Sequence, residues 1–423
     1  MSRERWMTWA AGLAAVMLLA ACGSGSSSSS GGAPVDPDAP ALVGMEADEG
    51  AAAASAASDP GATADAGGNG PILIGVAGPF TGPSAQFGFQ IEKATQLARD
   101  EINARGGING RQVRIMQEDD EGNPSSASTI ARRLAQNPGV VAVVGHFNSR
   151  CSLNGREIYD EAGVVMLSPA STNTTVCEGS PWAFRNIFHD KFQGETIANY
   201  IHDVLGKESV AVLYENDDYG AGLRGHFVNH ANVIGLRVLS EQAYDNTTGD
   251  FLPLARAATA GEPDIIFMSG LYSEAARIAE AMQEVGGDTP LIGGDGVFSD
   301  EYIKLAGDAA NGTLVTTPFL FELAGPQAEG FVAEYKSRWP DANPDAWAAL
   351  AYDAFNMVAW AIEEAGTDRE AIRDFLASVD TPEEAFVGLT GATYFDQSGD
   401  CLKPIKIAQV QGGAFVPASQ QFE

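Results

Sequence analysis

The chain has 423 residues, 45% apolar and 19% charged, which supplies a large hydrophobic core and rules out a wholly disordered protein. Its 56 Asp and Glu against 25 Lys and Arg leave a net charge of −31, which repels phosphate backbones and argues against a nucleic-acid partner. The strongly apolar run is confined to the start, which excludes a multi-span membrane protein.

Residues 1–21 carry Arg3 and Arg5, then an apolar stretch from Trp9 to Ala21. A basic start, a short apolar centre and small residues at the end describe a secretory signal peptide, too short for a comfortable membrane span. The ending Leu19-Ala20-Ala21-Cys22 resembles a bacterial lipobox. The resemblance implies that Cys22 takes lipid and becomes the mature N-terminus. Residues 22–70 are rich in Gly, Ser, Ala, Pro and Asp, with Ser26 to Ser30 consecutive and no aromatic residue. Such a segment buries too little apolar surface to offset its ordering entropy, so it reads as a disordered, lipid-anchored linker. The globular part is expected over 71–423.

From Pro71 the pattern alternates. Short apolar runs predict strands at Ile72–Ala77, Val113–Gln117, Val140–Gly145, Val164–Ser168, Val210–Tyr214, Val238–Tyr244, Ile265–Ser269 and Leu314–Thr317. Most are rich in β-branched residues, as suits strands covered on both faces. Helical patterns lie between them. In Gln90–Ala104, Ile91, Ala94, Leu97, Ala98 and Ile102 share one face; Pro124 is placed to open a second helix; after Asp345 a stripe runs from Trp347 to Ile362. Strand-helix alternation predicts an α/β fold with parallel sheets flanked by helices, and the length suits two lobes. In such sheets ligands sit at the carboxyl ends of the strands.

The loops at those ends are recognisable together. They read Gly78-Pro79-Phe80-Thr81-Gly82-Pro83, Asp100-Glu101-Ile102-Asn103-Ala104-Arg105-Gly106-Gly107, Glu118-Asp119-Asp120, Gly145-His146-Phe147-Asn148-Ser149, Ser168-Pro169-Ala170-Ser171-Thr172, Asn216-Asp217-Asp218-Tyr219-Gly220 and Gly293-Gly294-Asp295-Gly296. In this order they resemble the Leu/Ile/Val-binding protein family, the type I periplasmic substrate-binding proteins of amino-acid ABC transporters. The similarity covers nearly all of 71–423. It implies a two-lobed fold with three hinge crossings, near Asn186–Asp190, Thr316–Pro318 and Val387–Leu389. The N-terminal lobe is then 71–187 plus 319–387 and the C-terminal lobe 188–318 plus 388–423. It also implies a monomer that takes a small-molecule ligand, an amino acid or analogue, and hands it to an ABC permease in the membrane. No cofactor or metal is expected.

A free amino acid needs donors for its carboxylate, an acceptor for its ammonium and a pocket for its side chain. Ser149 opens a helical stretch after the third strand, where a hydroxyl and exposed N–H groups suit an anion. Ala170, Ser171 and Thr172 follow the fourth strand. By resemblance these hold the carboxylate and help with the amine, Asp295 takes the ammonium, and Tyr219 closes from the second lobe. Each also has a plain structural reading: Ser149 and Thr172 as helix N-caps, Asp295 as a turn residue and Tyr219 as surface. The departures from the family are Phe87 in place of a tyrosine, Leu271 in place of an aromatic residue with Tyr272 adjacent, and Arg150 after the key serine. Arg150 is suited either to a second carboxylate or to solvent.

Other motifs are decoys. Gly220-Ala221-Gly222-Leu223-Arg224-Gly225 matches a dinucleotide fingerprint but starts five residues after its strand. His226 and His230 have the spacing of two zinc ligands without the intervening glutamate or a third ligand. For a Cys151–His146 dyad the sequence names no orienting partner, and no G-x-S-x-G elbow occurs. The chain is therefore not expected to be an enzyme. Three cysteines remain in an exported, oxidising setting, so a disulfide is expected, with Cys151–Cys177 the first choice and Cys401 able to replace either. The family's usual bridge is absent, since Gly122 and Asn148 stand at its positions. A ligand sensor of the same fold, feeding a signalling system instead of a permease, stays open as an alternative.

Overall fold

The computed structural model describes residues 70–421. The signal peptide, Cys22 and the rest of the linker before Gly70 lie outside the described residues.

Five parallel strands form the first sheet: β1 (Ile72–Gly78), β2 (Val113–Asp119), β3 (Val140–Val144), β4 (Val165–Ser168) and β5 (Ala183–Arg185), in the order β2-β1-β3-β4-β5. The connecting helices are α1 (Ala85–Ala104), α2 (Pro124–Gln136) and α3 (Ser149–Ala162). Pro124 does open α2, directly after the N-cap Asn123, whose side chain accepts from the amides of Ser125 and Ser126. On one side of the sheet Leu73, Leu134, Val143, Tyr159 and Met166 form a buried core cluster.

The second sheet has seven strands. After α4 (Asp190–Asn199) come β6 (Ser209–Glu215), α5 (Asp218–Ile234), β7 (Arg237–Tyr244), α6 (Leu252–Thr259), β8 (Ile265–Ser269), α7 (Tyr272–Glu284), β9 (Leu291–Gly293), α8 (Asp300–Ala306) and β10 (Leu314–Thr317). The chain then forms α9 (Pro326–Arg338), α10 (Ala346–Ala365) and α11 (Arg369–Ala377), a short hairpin of β11 (Phe386–Gly388) and β12 (Gly391–Thr393), and finally β13 (Lys406–Gln411) and β14 (Ala414–Pro417). The sheet order is β14-β13-β10-β9-β8-β6-β7. Strands β6 to β10 pair in parallel, while β13 and β14 add antiparallel.

α10 explains how the chain returns. It packs on α1 and against β3 of the first sheet. Apolar residues surround the helix, from Ala346 to Ile362, and nearly all are buried. A helix apolar on every side needs cover on every side, and the layer between α1 and the sheet provides it.

All eight expected strands are present. Two were expected to be covered on both faces and are not. β7 is an edge strand whose residues alternate between exposed and half-buried, and β2, the edge of the first sheet, is largely half-buried. A strand with one neighbour has one open flank, and polar side chains there discourage pairing with another chain.

The expected Cys151–Cys177 disulfide is not formed; Cys151, Cys177 and Cys401 are free and buried. Cys151 lies in the first turn of α3. The loop carrying Cys177 runs along the far half of that helix, where Arg156 donates to the Thr175 and Val176 carbonyls and Ser180 donates to Asp160. Residues 156–160 lie roughly 8–13 Å further along the axis at about 1.5 Å per residue, beyond the reach of a disulfide.

Candidate functional site

A narrow cavity of about 20 Å³ lies between the carboxyl ends of the two sheets. It is lined by Phe147, Asn148, Ser149, Ala170, Thr172 and Trp347 from one side and by Asp217, Tyr219, Leu271, Asp295 and Gly296 from the other. That is room for about one water molecule, far below the several hundred Å³ usual for ligand sites, so a ligand enters only as the walls part.

Ser149 is the first residue of α3, not its N-cap. Asn148 holds the cap position, and its side chain leaves the first-turn amides uncapped. Ser149 is buried, and its hydroxyl accepts from the Asn173 amide at 3.3 Å, which leaves its proton to donate. The loop after β4 is held from behind by Arg185. This fully buried guanidinium donates to the carbonyls of Ser171 (2.8 Å), Asn173 (2.9 Å) and Thr174 (3.3 Å) and to Asp400 (2.5 Å). A planar fork meeting several acceptors fixes the loop more firmly than any lysine would.

The opposite wall is acidic. Asp295 is buried, and its Oδ1 accepts from the Tyr219 hydroxyl at 2.5 Å and from Gln193 Nε2 at 3.0 Å. Gln193 Oε1 in turn accepts from the Asp295 amide (2.9 Å) and Thr316 (2.7 Å), while the Gly296 amide donates to the Tyr219 hydroxyl (3.0 Å). Burial pushes the Asp295 carboxyl up to about 6, against the pull of the bonds from Tyr219 and Gln193. Asp190, joined to the same Gln193 Nε2 at 3.3 Å, is pushed well up by burial and then by the charge of Asp295. Burial and Asp295 likewise raise the Tyr219 hydroxyl. A buried carboxyl pair without a cation between its members favours keeping a proton.

Several predicted residues stand behind the lining. Phe87 is fully buried and stacks on Phe147 at 4.1 Å, with Trp347 and Tyr272 edge-on at 5.6 and 5.1 Å. It supports the apolar wall without forming it. Ser171 turns inward: its hydroxyl pairs with Ser152 (2.7 Å) and donates to the Phe147 carbonyl (2.8 Å). Tyr272 donates across the cleft to the Pro83 carbonyl at 2.8 Å. Arg150 does not point freely into solvent. Its Nε donates to the Gly122 carbonyl at 3.0 Å, and its Nη1 lies 4.0 Å from Asp217 on the opposite wall.

Sequence reasoning missed Phe147, Asn148, Asp217, Gly296 and Trp347 in the lining, and Asp190, Gln193 and Arg185 behind it. Phe147 and Asn148 follow a strand end directly, a signal that was available. The glycines of the dinucleotide-like motif lie within α5. A Cβ on Gly222 would stand 2.7 Å from the Asn173 amide nitrogen, and that side chain crosses to the Asp218 carbonyl at 2.5 Å. His230 pairs with Asn199 at 2.8 Å.

The lining thus offers a hydroxyl and a helix start at one end, carboxyl groups at the other, and Phe147, Leu271 and Trp347 between them. This is the complement of a small dipolar molecule with an apolar part. Comparison with known proteins decides the family: residues 71–414 match the periplasmic binding protein model. The chain belongs to that family. A Pseudomonas aeruginosa relative named amino acid binding protein is 33% identical over 71% of this chain and 80% of its own length. The Leu/Ile/Val-binding protein homolog 1 of Brucella suis is 30% identical over 79% of this chain and 88% of its own. Among solved structures, the leucine binding protein LivK of Thermotoga maritima shares 30% identity and a TM-score of 0.77, covering 82% of this chain and 98% of its own. The resemblance and the two-lobed type I fold read from the loop motifs are borne out.

Proposed function

We propose that the protein is an exported, lipid-anchored, monomeric solute-binding component of an ABC importer. In this reading it holds an α-amino acid between lobes 71–187 plus 319–387 and 188–318 plus 388–423, and presents the closed form to a membrane permease. The observation that carries the reading is the opposition of Ser149, at the uncapped start of α3, to the Asp295–Tyr219 pair across one small cavity. The relatives named for binding amino acids, leucine among them, support the ligand class.

Ser149, the α3 amides and the Ala170–Thr172 loop take the ligand carboxylate. Asp295 and the Tyr219 oxygen take the ammonium, and Phe147, Leu271 and Trp347 enclose the side chain. Charge-assisted hydrogen bonds contribute roughly 1.5–3 kcal/mol each, so three or four aligned in a dry cleft reach the roughly 8 kcal/mol of micromolar binding. A ligand favours closure only through contacts made to both lobes at once. Trp347 Nε1 to the Phe298 carbonyl (3.0 Å), Tyr272 to Pro83 and Asn173 to Asp218 are the direct bonds that would part on opening. The chemistry is binding and release, with no covalent step.

Isothermal titration against the common L-amino acids tests this. The expected result is one site per chain with micromolar or tighter affinity for at least one of them. Failure of every one to bind would reject the reading. The anchor has its own test: Cys22→Ser should shift the chain from the membrane fraction to the soluble fraction.

A further inference from the structure

Beside the cavity, at the carboxyl ends of β6, β7 and β8, lies a cluster that binding a simple amino acid does not use. Glu215 ends β6 and Tyr244 ends β7; both are 3% exposed. Among the described residues, Glu215 Oε2 and the Tyr244 hydroxyl have no hydrogen-bond partner. Glu274, at the start of α7, is 6% exposed and adds a third acceptor group nearby. Gly270 keeps the space open: a Cβ there would stand 2.0 Å from the Tyr244 hydroxyl and 3.3 Å from Glu215 Cβ.

The cluster adjoins the ligand cavity. Asp217, two residues beyond Glu215, lines that cavity, and so does Leu271, next to Gly270. The nearby cation, Arg150, is partly committed, with Nε on the Gly122 carbonyl and Nη1 at 4.0 Å from Asp217. Glu215 and Asp217 thus share the Arg150 guanidinium, while Glu274, which accepts from the Ser273 hydroxyl, and Asp245 add further negative charge beside Glu215. Burial first, then Asp217 and Glu274, pushes the Glu215 carboxyl up to about 8, so the empty cluster holds a proton at neutral pH. An orphaned acceptor pair beside acidic groups, nine-tenths or more buried, calls for a donor that carries positive charge.

We propose that Glu215, Asp217 and Tyr244 form a subsite for the cationic end of the ligand side chain, so that the ligand is a basic amino acid of the lysine, ornithine or arginine kind. This rests on the amino-acid reading of the main site and sharpens its substrate class. The α-ammonium goes to Asp295, the aliphatic shaft runs along Leu271, and the terminal ammonium or guanidinium meets Asp217 and Glu215. On binding, the Glu215 carboxyl releases its proton to solvent as the cation replaces it.

The test is titration of the purified chain with L-lysine, L-arginine and L-leucine at pH 7.5, in phosphate and in Tris. Because these buffers differ in ionisation enthalpy, the heat difference counts protons released. The expected result is lysine or arginine at least tenfold tighter than leucine, with net proton release. Glu215→Gln should weaken that basic ligand tenfold or more and remove the release. Tyr244→Phe, a milder change, should weaken it about threefold and guards against a Glu215 variant that does not fold. Leucine tighter than both basic ligands would overturn this inference and leave the amino-acid reading standing, as would unchanged lysine and arginine affinity in both variants. No binding by any of the three would overturn this inference, and the wider amino-acid panel then decides the underlying reading.

Discussion

The two walls of the cleft are built alike and charged differently. Both are made of the carboxyl ends of parallel strands and the helix starts that follow them. The first-sheet wall contributes Ser149, Ala170, Thr172, Phe147 and Trp347, which carry no charge. The second-sheet wall contributes Asp295 and Asp217, with Asp190 and Glu215 behind them. Strand ends of one architecture can thus serve as a dipolar anion site or as a cation site. Which they become depends on whether the loop is built of hydroxyls and helix amides or of buried carboxyls. The neutral wall needs little preparation, since its dipoles are fixed by the fold. The acidic wall holds carboxyls out of water and is unfavourable until a cation arrives.

That asymmetry can be broken at its strong side first. Asp295→Ala should weaken ligand binding a hundredfold or more in titration calorimetry, because a buried ammonium left without its carboxylate costs about 3 kcal/mol. Asp295→Asn should weaken binding too, yet stabilise the ligand-free protein. The sign follows from the raised carboxyl. A group at about 6 in the folded chain and 3.8 unfolded favours folding below pH 3.8, and that advantage is lost as pH rises through 6. Above pH 6 the ionised form costs up to about 3 kcal/mol, which the amide escapes, and urea melts at pH 7.5 against pH 5 would measure the difference.

On the neutral wall, Ser149→Ala should cost one charge-assisted bond, about tenfold in affinity and about 1.4 kcal/mol. Lowering the pH from 7 to 5 protonates Asp295 before any ligand arrives, and titration with leucine, which does not engage Glu215, should show affinity falling by up to about tenfold over that range. A smaller effect is expected of Tyr272→Phe, which removes the bond to Pro83. It should weaken binding about fivefold, near 1 kcal/mol, while small-angle scattering of the ligand-free protein shows a more open cleft.

The β-branched runs of both sheets were legible because strands buried on both faces leave an unbroken apolar signature. Leu291–Gly293 and Ala183–Arg185 were too short to leave one. The final hairpin left a different sign that was passed over, the Gly412-Gly413 pair between Gln411 and Ala414. Ser149, Thr172, Tyr219 and Asp295, which line the cavity, could be singled out because each stands in or beside a loop whose motif is local. Trp347 could not be found that way. It enters the cleft from α10, a helix whose stripe reads as plain core and whose return to the first sheet depends on distant packing. Ser171 and Arg150 show the converse: they stand in the same loops, but partners elsewhere in the chain, Ser152 and Asp217, decide where their side chains point.

The central claim is the polarity of the cleft. A crystal structure with the tightest-binding amino acid tests it most directly. The ligand carboxylate should lie within hydrogen-bonding distance of the Ser149 hydroxyl and the first amides of α3, with its α-ammonium on Asp295 and Tyr219. A ligand bound in the reverse orientation, or seated away from Asp295, would contradict the account.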